Sequence, residues 1–442
     1  MQLEYKVIIL ITLMTVLLFI AITAANIYTK GNLLRFSSHM IKYHLLSAMT
    51  ADNSQVQIIG GFESSNISNI KKISNNHFSM MMRPDEPSDH NYPHHMLYWF
   101  YFKLTGAKEQ TVTVDITNID WMPSHWDNYT PVYTYANDPN DLTEHKWERI
   151  TNTTRFFKTF SFTHTFTSDT VWVALRYPYT YTYGQRYISS IKDNPHVKVE
   201  TIGKTREGRN IDLIMITDRN VSDKGKKGIW LIAKDHAVEQ DGAWMIEGII
   251  EFLLSDEPEA ALLRKKTVFA MIPLAAPDAT YHGRNVNPVT GADVSHSYSI
   301  GPLSIKRAEI MTEETKAIWS RVQSWVKEGS SIDLAAILHN PHGDEENVWG
   351  IFNSSHKPEE KKVFHETFLK HLKGYTTRTN IFSKLHHSDT FSDIAATEFD
   401  SLAFSYEINQ HAKGSFLTIQ DLHNIGKAFA RGVFDYYNLS IK

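Results

Sequence analysis

The sequence predicts an α/β protein. A mixed, mostly parallel sheet flanked by helices is expected, preceded by a small antiparallel β-sandwich and an N-terminal membrane helix. Three observations carry this reading. Apolar residues alternate with period two from about residue 55 to about residue 190. After about residue 194, short apolar runs alternate with helical patterns. Residues 7–25 form an uncharged, predominantly apolar run. The 442 residues exceed what one small core requires. They divide into an N-terminal segment (1–30), a sandwich domain (55–190) and an α/β domain (195–442).

Composition excludes several function classes. Hydrophobic residues at 42% and charged residues at 21% are ordinary globular values, so no long disordered region is implied. A formal net charge of −4 argues against a nucleic-acid partner. The chain has no cysteine. That rules out a disulfide framework, an iron–sulfur cluster, a thiolate zinc site and a cysteine nucleophile, and it leaves the compartment open.

The N-terminal run VIILITLMTVLLFIAITAA is long enough to span a bilayer. The expectation is a single-pass anchor, with the membrane as partner and the catalytic domain outside the cytoplasm. The alternative is a signal peptide with Thr23-Ala24-Ala25 as its cleavage site, giving a secreted chain. Lys6, Lys30 and Arg35 are too balanced to set orientation. Sequons at Asn128 and Asn152 matter only in a eukaryotic secretory pathway.

Residues 97–104, 111–116 and 170–175 read as sandwich strands, separated by turn-rich pieces such as 84–89. His94 and His95 read as surface or packing residues. In the second half, strands are expected at 212–216, 229–233, 268–272, 334–338 and 403–406. Helices are expected at 243–254, 313–326, 359–372 and 422–437.

Three of these strands end in candidate chemistry. The 229–233 strand runs into His236-Ala237-Val238-Glu239, the turn position where an open α/β sheet carries its ligands. The 334–338 strand runs into His339-Asn340-Pro341-His342, and the last strand into Glu407. His236, Glu239 and His339 would make a His/Glu/His site for one Zn2+, its fourth position open to water. His342 competes with His339 for the third place; His339 is preferred because it lies directly at the strand end. Glu407 would then serve as general base, since a carboxylate at the end of an apolar strand needs a partner. The His386-His387-Ser388-Asp389 stretch reads as a solvated loop.

These residues resemble zinc metallocarboxypeptidases of the carboxypeptidase A type, and within them the cytosolic-carboxypeptidase-like subfamily. Residues 202–209 (IGKTREGR) resemble its G-x-S/T-x-x-G-R entry motif, and His236-x-x-Glu239 its ligand pair. Residues 244–256 resemble the helix W-x-x-x-G-x-x-E/D-F-L-x-S-D. Pro273 with Pro277-Asp278 resembles P-x-x-N-P-D-G. Residues 338–341 resemble the third-ligand motif, and Glu407 stands where the family has its general base. Residues 99–102 (WFYF) and 177–181 (YPYTY) resemble signatures of the small β domain that precedes the catalytic domain in that subfamily. The resemblance implies zinc as cofactor and a peptide or protein substrate.

The departures fall in the substrate pocket. Asp293-Val294-Ser295-His296 replaces D-x-N-R, whose Asn-Arg pair grips the substrate carboxylate, so Ser295 and His296 become the candidate binding residues. The subfamily's oxyanion arginine falls at Val286, and Arg284, two residues earlier, is its candidate replacement. Two functions follow. The first is a membrane-anchored or secreted zinc hydrolase of a peptide or related amide bond, with Glu407 as base and Arg284 or His296 polarising the oxyanion. The alternative is a weak or inactive carboxypeptidase-like module that binds zinc and serves as an interaction surface.

Overall fold

The computed structural model describes residues 56–439 apart from 86–96, 120–125, 128, 144–145, 299–310, 342–345, 354, 383–389 and 413–415. The expectations for 7–25, His94, His95, Asn128, His342 and 386–389 lie outside the described residues. Among the described residues, no helix is long and apolar enough to cross a membrane.

The described residues belong to one compact unit, Ser54–Lys442. Its first part holds two five-stranded sheets. One runs in the order Gln57–Ile59, Tyr101–Thr105, Val171–Ala174, Val132–Thr134, Glu148–Arg149, antiparallel throughout. The other runs Ser68–Ser74, His77–Met81, Thr111–Ile116, Thr159–Thr165, Thr153–Phe156. Alternation works here as period two requires: Val112, Val114 and Ile116 point inward while the residues between them do not. Phe100 and Phe102 of the first sheet's segment meet Phe162 of the second, with ring centroids 6.2 and 6.4 Å apart. These contacts close the sandwich.

The sandwich departs from the expectation in two places. His77–Met81 pairs parallel to Thr111–Ile116. Tyr101–Thr105 of the other sheet intervenes in sequence, so the chain crosses over and re-enters in the same direction. The strand expected from residue 97 begins at Tyr101. Before it, the Trp99 indole donates to the Ser64 carbonyl rather than lying on a ladder.

The second part is an eight-stranded mixed sheet in the order Val197–Lys204, Asn210–Ile216, Thr267–Ile272, Lys227–Ala233, Leu334–His339, Leu402–Ile408, Val348–Asn353, Thr377–Phe382. The four central strands are mutually parallel. Thr267–Ile272 and Leu334–His339 are buried at every residue, which explains their near-continuous apolar sequences. Helices Asp241–Leu254, Glu313–Lys327, Pro358–Leu369, Phe391–Phe399 and Ile419–Tyr436 flank the sheet. The last begins in a capping box formed by Thr418 and Asp421.

One glycine sets the depth at which the site is built. A Cβ on Gly242 would lie 2.5 Å from the Leu338 carbonyl oxygen. The first turn of helix Asp241–Leu254 therefore seats directly on the end of strand Leu334–His339. The His236–Glu239 turn and His339 are brought together by that contact.

Candidate metal centre and active site

Strand Lys227–Ala233 ends at Ala233, and the chain leaves it through Lys234 at φ +56°. That left-handed backbone is uncommon for a residue with a Cβ and turns the chain sharply. Lys234 is fully buried. Its Nζ donates to the Ala237 carbonyl (2.5 Å) and to Gln240 Oε1 (2.8 Å), while Gln240 Nε2 donates to the Val238 carbonyl (2.8 Å). Two side chains thus hold the carbonyls of the turn between His236 and Glu239.

Glu239 lies between two imidazoles. Its Oε1 is 3.2 Å from His236 Nδ1 and its Oε2 is 2.8 Å from His339 Nδ1. The backbone N–H of Asn340 also donates to Oε2, at 3.1 Å. All three side chains are buried. Burial alone would raise the Glu239 carboxyl, but His236 and His339 outweigh it and hold the group far below the ordinary carboxylate range. Burial disfavours a charged His339, yet Asp235 and Glu239 lift it to about 9. His236 is likewise raised, burial being outweighed by Asp293 and Glu239.

The ligand atoms of His236, Glu239 and His339 lie within 4.8 Å of one another. Two imidazole nitrogens and a carboxylate oxygen are the donor set zinc takes in hydrolytic sites, so these residues form a possible zinc site. The outer nitrogen of His236, Nε2, lies 3.3 Å from Asp293 Oδ2. This is the carboxylate contact that orients a metal-bound histidine.

Glu407 is placed by register. Strands Leu334–His339 and Leu402–Ile408 run parallel, with His339 directly opposite Glu407. Glu407 is half-buried. The four residues expected at strand ends therefore come from three adjacent parallel strands.

The substrate-side candidates sit differently. Arg284 is not directed at the zinc ligands through any described contact. Its Nε donates to Asp85 Oδ1 at 2.9 Å, and the Asn285 N–H donates to the same carboxylate at 3.1 Å. Val286, at the arginine position of the resembling subfamily, is buried at 2% exposure. Ser295 is buried, its N–H donates to Asp293 Oδ1, and its Oγ has no partner among the described residues. His296 is half-buried, with its ring centroid 6.0 Å from that of His236.

Sequence reasoning missed the residues that brace the site. Asn340 Oδ1 accepts from the Asp241 N–H, and its Nδ2 donates to the Ile408 carbonyl next to Glu407. Arg176 joins Asp241 Oδ2 at 2.7 Å, with both side chains buried, and also donates to the Pro341 carbonyl. Asp241 in turn accepts from Gln410 Nε2 at 2.6 Å. The available signals were an arginine directly after an apolar strand and an acid at a helix start. Neither names its partner.

Residues 58–175 match the family model described as cytosolic carboxypeptidase N-terminal domain, and residues 184–299 match the zinc carboxypeptidase model. Cytosolic carboxypeptidase 3 of Mus musculus is 24% identical over 309 residues, 65% of this chain and 29% of that protein. Cytosolic carboxypeptidase 6 of Mus musculus is 28% identical over 254 residues, 54% of this chain and 45% of that protein. The chain thus spans less than half the length of these curated relatives. A crystal structure of a metallo-carboxypeptidase from Burkholderia cenocepacia shares the fold at a TM-score of 0.73 and 21% identity, covering 87% of this chain and 99% of that one. A metallo-carboxypeptidase from Pseudomonas aeruginosa gives a TM-score of 0.69 at 20% identity, with the same coverage.

The extracytoplasmic placement expected from residues 7–25, anchored or secreted, is corrected by these findings, and they give the expected membrane partnership no support. The curated relatives are cytosolic carboxypeptidases by name. The expectation rested on run length. An apolar run of nineteen residues matches a bilayer's thickness, but length alone does not fix where the folded domains reside. With both models matched in adjoining order and the possible zinc-site residues His236, Glu239 and His339 brought together at the sheet's carboxyl edge, the chain belongs to the zinc carboxypeptidase family, with the cytosolic carboxypeptidase N-terminal domain preceding the zinc carboxypeptidase one.

Proposed function

We propose that this chain is a zinc-dependent hydrolase of a peptide or related amide bond. The observation that carries the reading is the pairing of His339 with Glu407 on adjacent parallel strands, beside a closed His236/Glu239/His339 donor set. When bound, zinc supplies Lewis-acid polarisation of the scissile carbonyl and lowers the pKa of a water. Glu407 acts as general base, taking the proton of the attacking water and delivering it to the leaving amine nitrogen. His296 is the better placed of the two oxyanion candidates, because the Arg284 guanidinium is already paired with Asp85. Asp293 holds His236 in the tautomer that presents Nδ1 inward.

The interaction-module reading keeps one specific support. Val286 and His296 stand where the resembling subfamily carries arginines, and losing one oxyanion donor typically costs about a hundred- to a thousandfold in rate. The two readings separate in one experiment. The zinc-loaded chain is incubated with peptides bearing free or amidated C-termini, and products are identified by mass spectrometry. Release of single C-terminal residues supports a carboxypeptidase, and cleavage of the amidated set alone supports a re-purposed pocket. Absence of any cleavage by the zinc-loaded chain favours the module.

A further inference from the structure

His236 faces metal-capable groups on both of its nitrogens. Its Nδ1 faces Glu239, which also holds His339, and its Nε2 faces Asp293, with the His296 ring centroid 6.0 Å from its own. The second set is also a group of donors within 4.8 Å of one another, with His236 and Asp293 buried and His296 half-buried. It too offers two imidazole nitrogens and one carboxylate oxygen, a set suited to zinc and similar divalent transition-metal ions. An arginine at position 296 would repel a cation there. The imidazole of His296 removes that fixed charge and adds a lone pair. The partial exposure of His296 gives an ion a way in.

We propose that His236, Asp293 and His296 form a second divalent-metal site, alternative to the catalytic one. This rests on the reading above, in which the catalytic ion takes His236 Nδ1. A neutral imidazole has a single proton-free nitrogen, so the two positions exclude each other. With the ion on Nδ1, the Nε2 proton points to Asp293. With the ion on Nε2, the Nδ1 proton points to Glu239, 3.2 Å away. Either way the outer nitrogen finds a carboxylate, the arrangement that stabilises metal-bound histidine. An ion at the second position is held by neither Glu239 nor His339, so this is a resting position from which hydrolysis does not proceed.

The test is a Zn2+ titration of the metal-stripped full chain against a chromophoric chelator. Four forms are compared: wild type, His296→Ala, His339→Ala, and the His339→Ala/His296→Ala double variant. Wild type and His296→Ala are expected to bind one ion with affinities within about twofold. His339→Ala should still bind one ion, about ten- to a hundredfold more weakly, and the double variant should lose at least about a further tenfold. Equal residual binding in the single His339 variant and the double variant overturns the second site. So does a His339→Ala chain that binds no zinc. Wild-type affinity in His339→Ala would instead contradict the catalytic zinc site itself, so the two failures are distinguishable. If the alanine variants do not fold by circular dichroism, the glutamine pair His339→Gln and His339→Gln/His296→Gln carries the same comparison.

Discussion

The metal end and the substrate end of this site are built by different means. His236, Glu239, His339 and Glu407 lie at or just beyond the ends of three neighbouring parallel strands, locked by sheet register and by the Asn340 backbone hydrogen bond to Glu239. The substrate-side candidates Arg284, Ser295 and His296 lie on a stretch after helix Pro277–His282 that has neither helix nor strand. Three positions on that stretch, Val286, Ser295 and His296, depart from the resembling subfamily's pattern, while His236, Glu239, His339 and Glu407 do not. A side chain fixed by a sheet cannot change its position without the fold, whereas a loop can exchange its side chains and leave the sheet intact.

That comparison can be broken in order of expected effect. Removing the brace on the metal side should be costliest. Arg176→Met leaves Asp241 buried without its cation and is expected to lower unfolding stability by about 3–5 kcal/mol, read from urea denaturation. Asn340→Ala removes the side-chain link from helix Asp241–Leu254 to strand Leu402–Ile408. About 1–3 kcal/mol is at stake for the buried groups left behind, which should appear as roughly tenfold weaker zinc binding with the fold retained. The loop should respond in the opposite manner. A Ser295→Asn/His296→Arg double variant is expected to leave zinc affinity unchanged and to raise turnover of free-carboxylate peptides by about tenfold or more, through a charge-assisted pair. A large drop in its zinc affinity would show that loop and sheet are not independent.

The smallest effect lies away from the site. His423 sits between Glu247 and Glu251, 2.9 Å from the latter, and Lys427 also reaches Glu251. Burial disfavours the charge on His423, but the two carboxylates raise it to about 9. Burial likewise opposes ionisation of Glu251, and His423 with Lys427 brings it down to about 2. The His423 contribution is therefore complete below its unfolded value near 6.5 and is lost as pH rises through about 9. The Glu251 contribution is complete above about 4.5 and is lost as pH falls toward 2. Thermal stability should decline between pH 7 and 9.5, and His423→Gln should flatten that decline.

How much was legible follows the same division. The central strands announce themselves because burial on both faces demands unbroken apolar runs, and the ligands stand where those runs stop. The outer strands do not. Val197–Lys204 is exposed or half-buried at every residue after Val197, with Lys198 and Glu200 in it, and Thr377–Phe382 is largely exposed. Neither carries the signature of a buried strand. Arg284 was expected to serve the oxyanion, yet it meets Asp85, 199 residues away, a contact no local pattern encodes. The Asp293 contact to His236 was missed for the same reason, as was the parallel pairing of His77–Met81.

The most direct test of the metal-and-base assignment compares the zinc-loaded full chain with its Glu407→Gln variant on a cleaved peptide, with zinc content measured on the same samples. The expected result is equal zinc in both and a loss of about a hundredfold or more in turnover for the variant. Undiminished turnover in Glu407→Gln at equal zinc would contradict the assignment of the general base and the hydrolytic centre built around it.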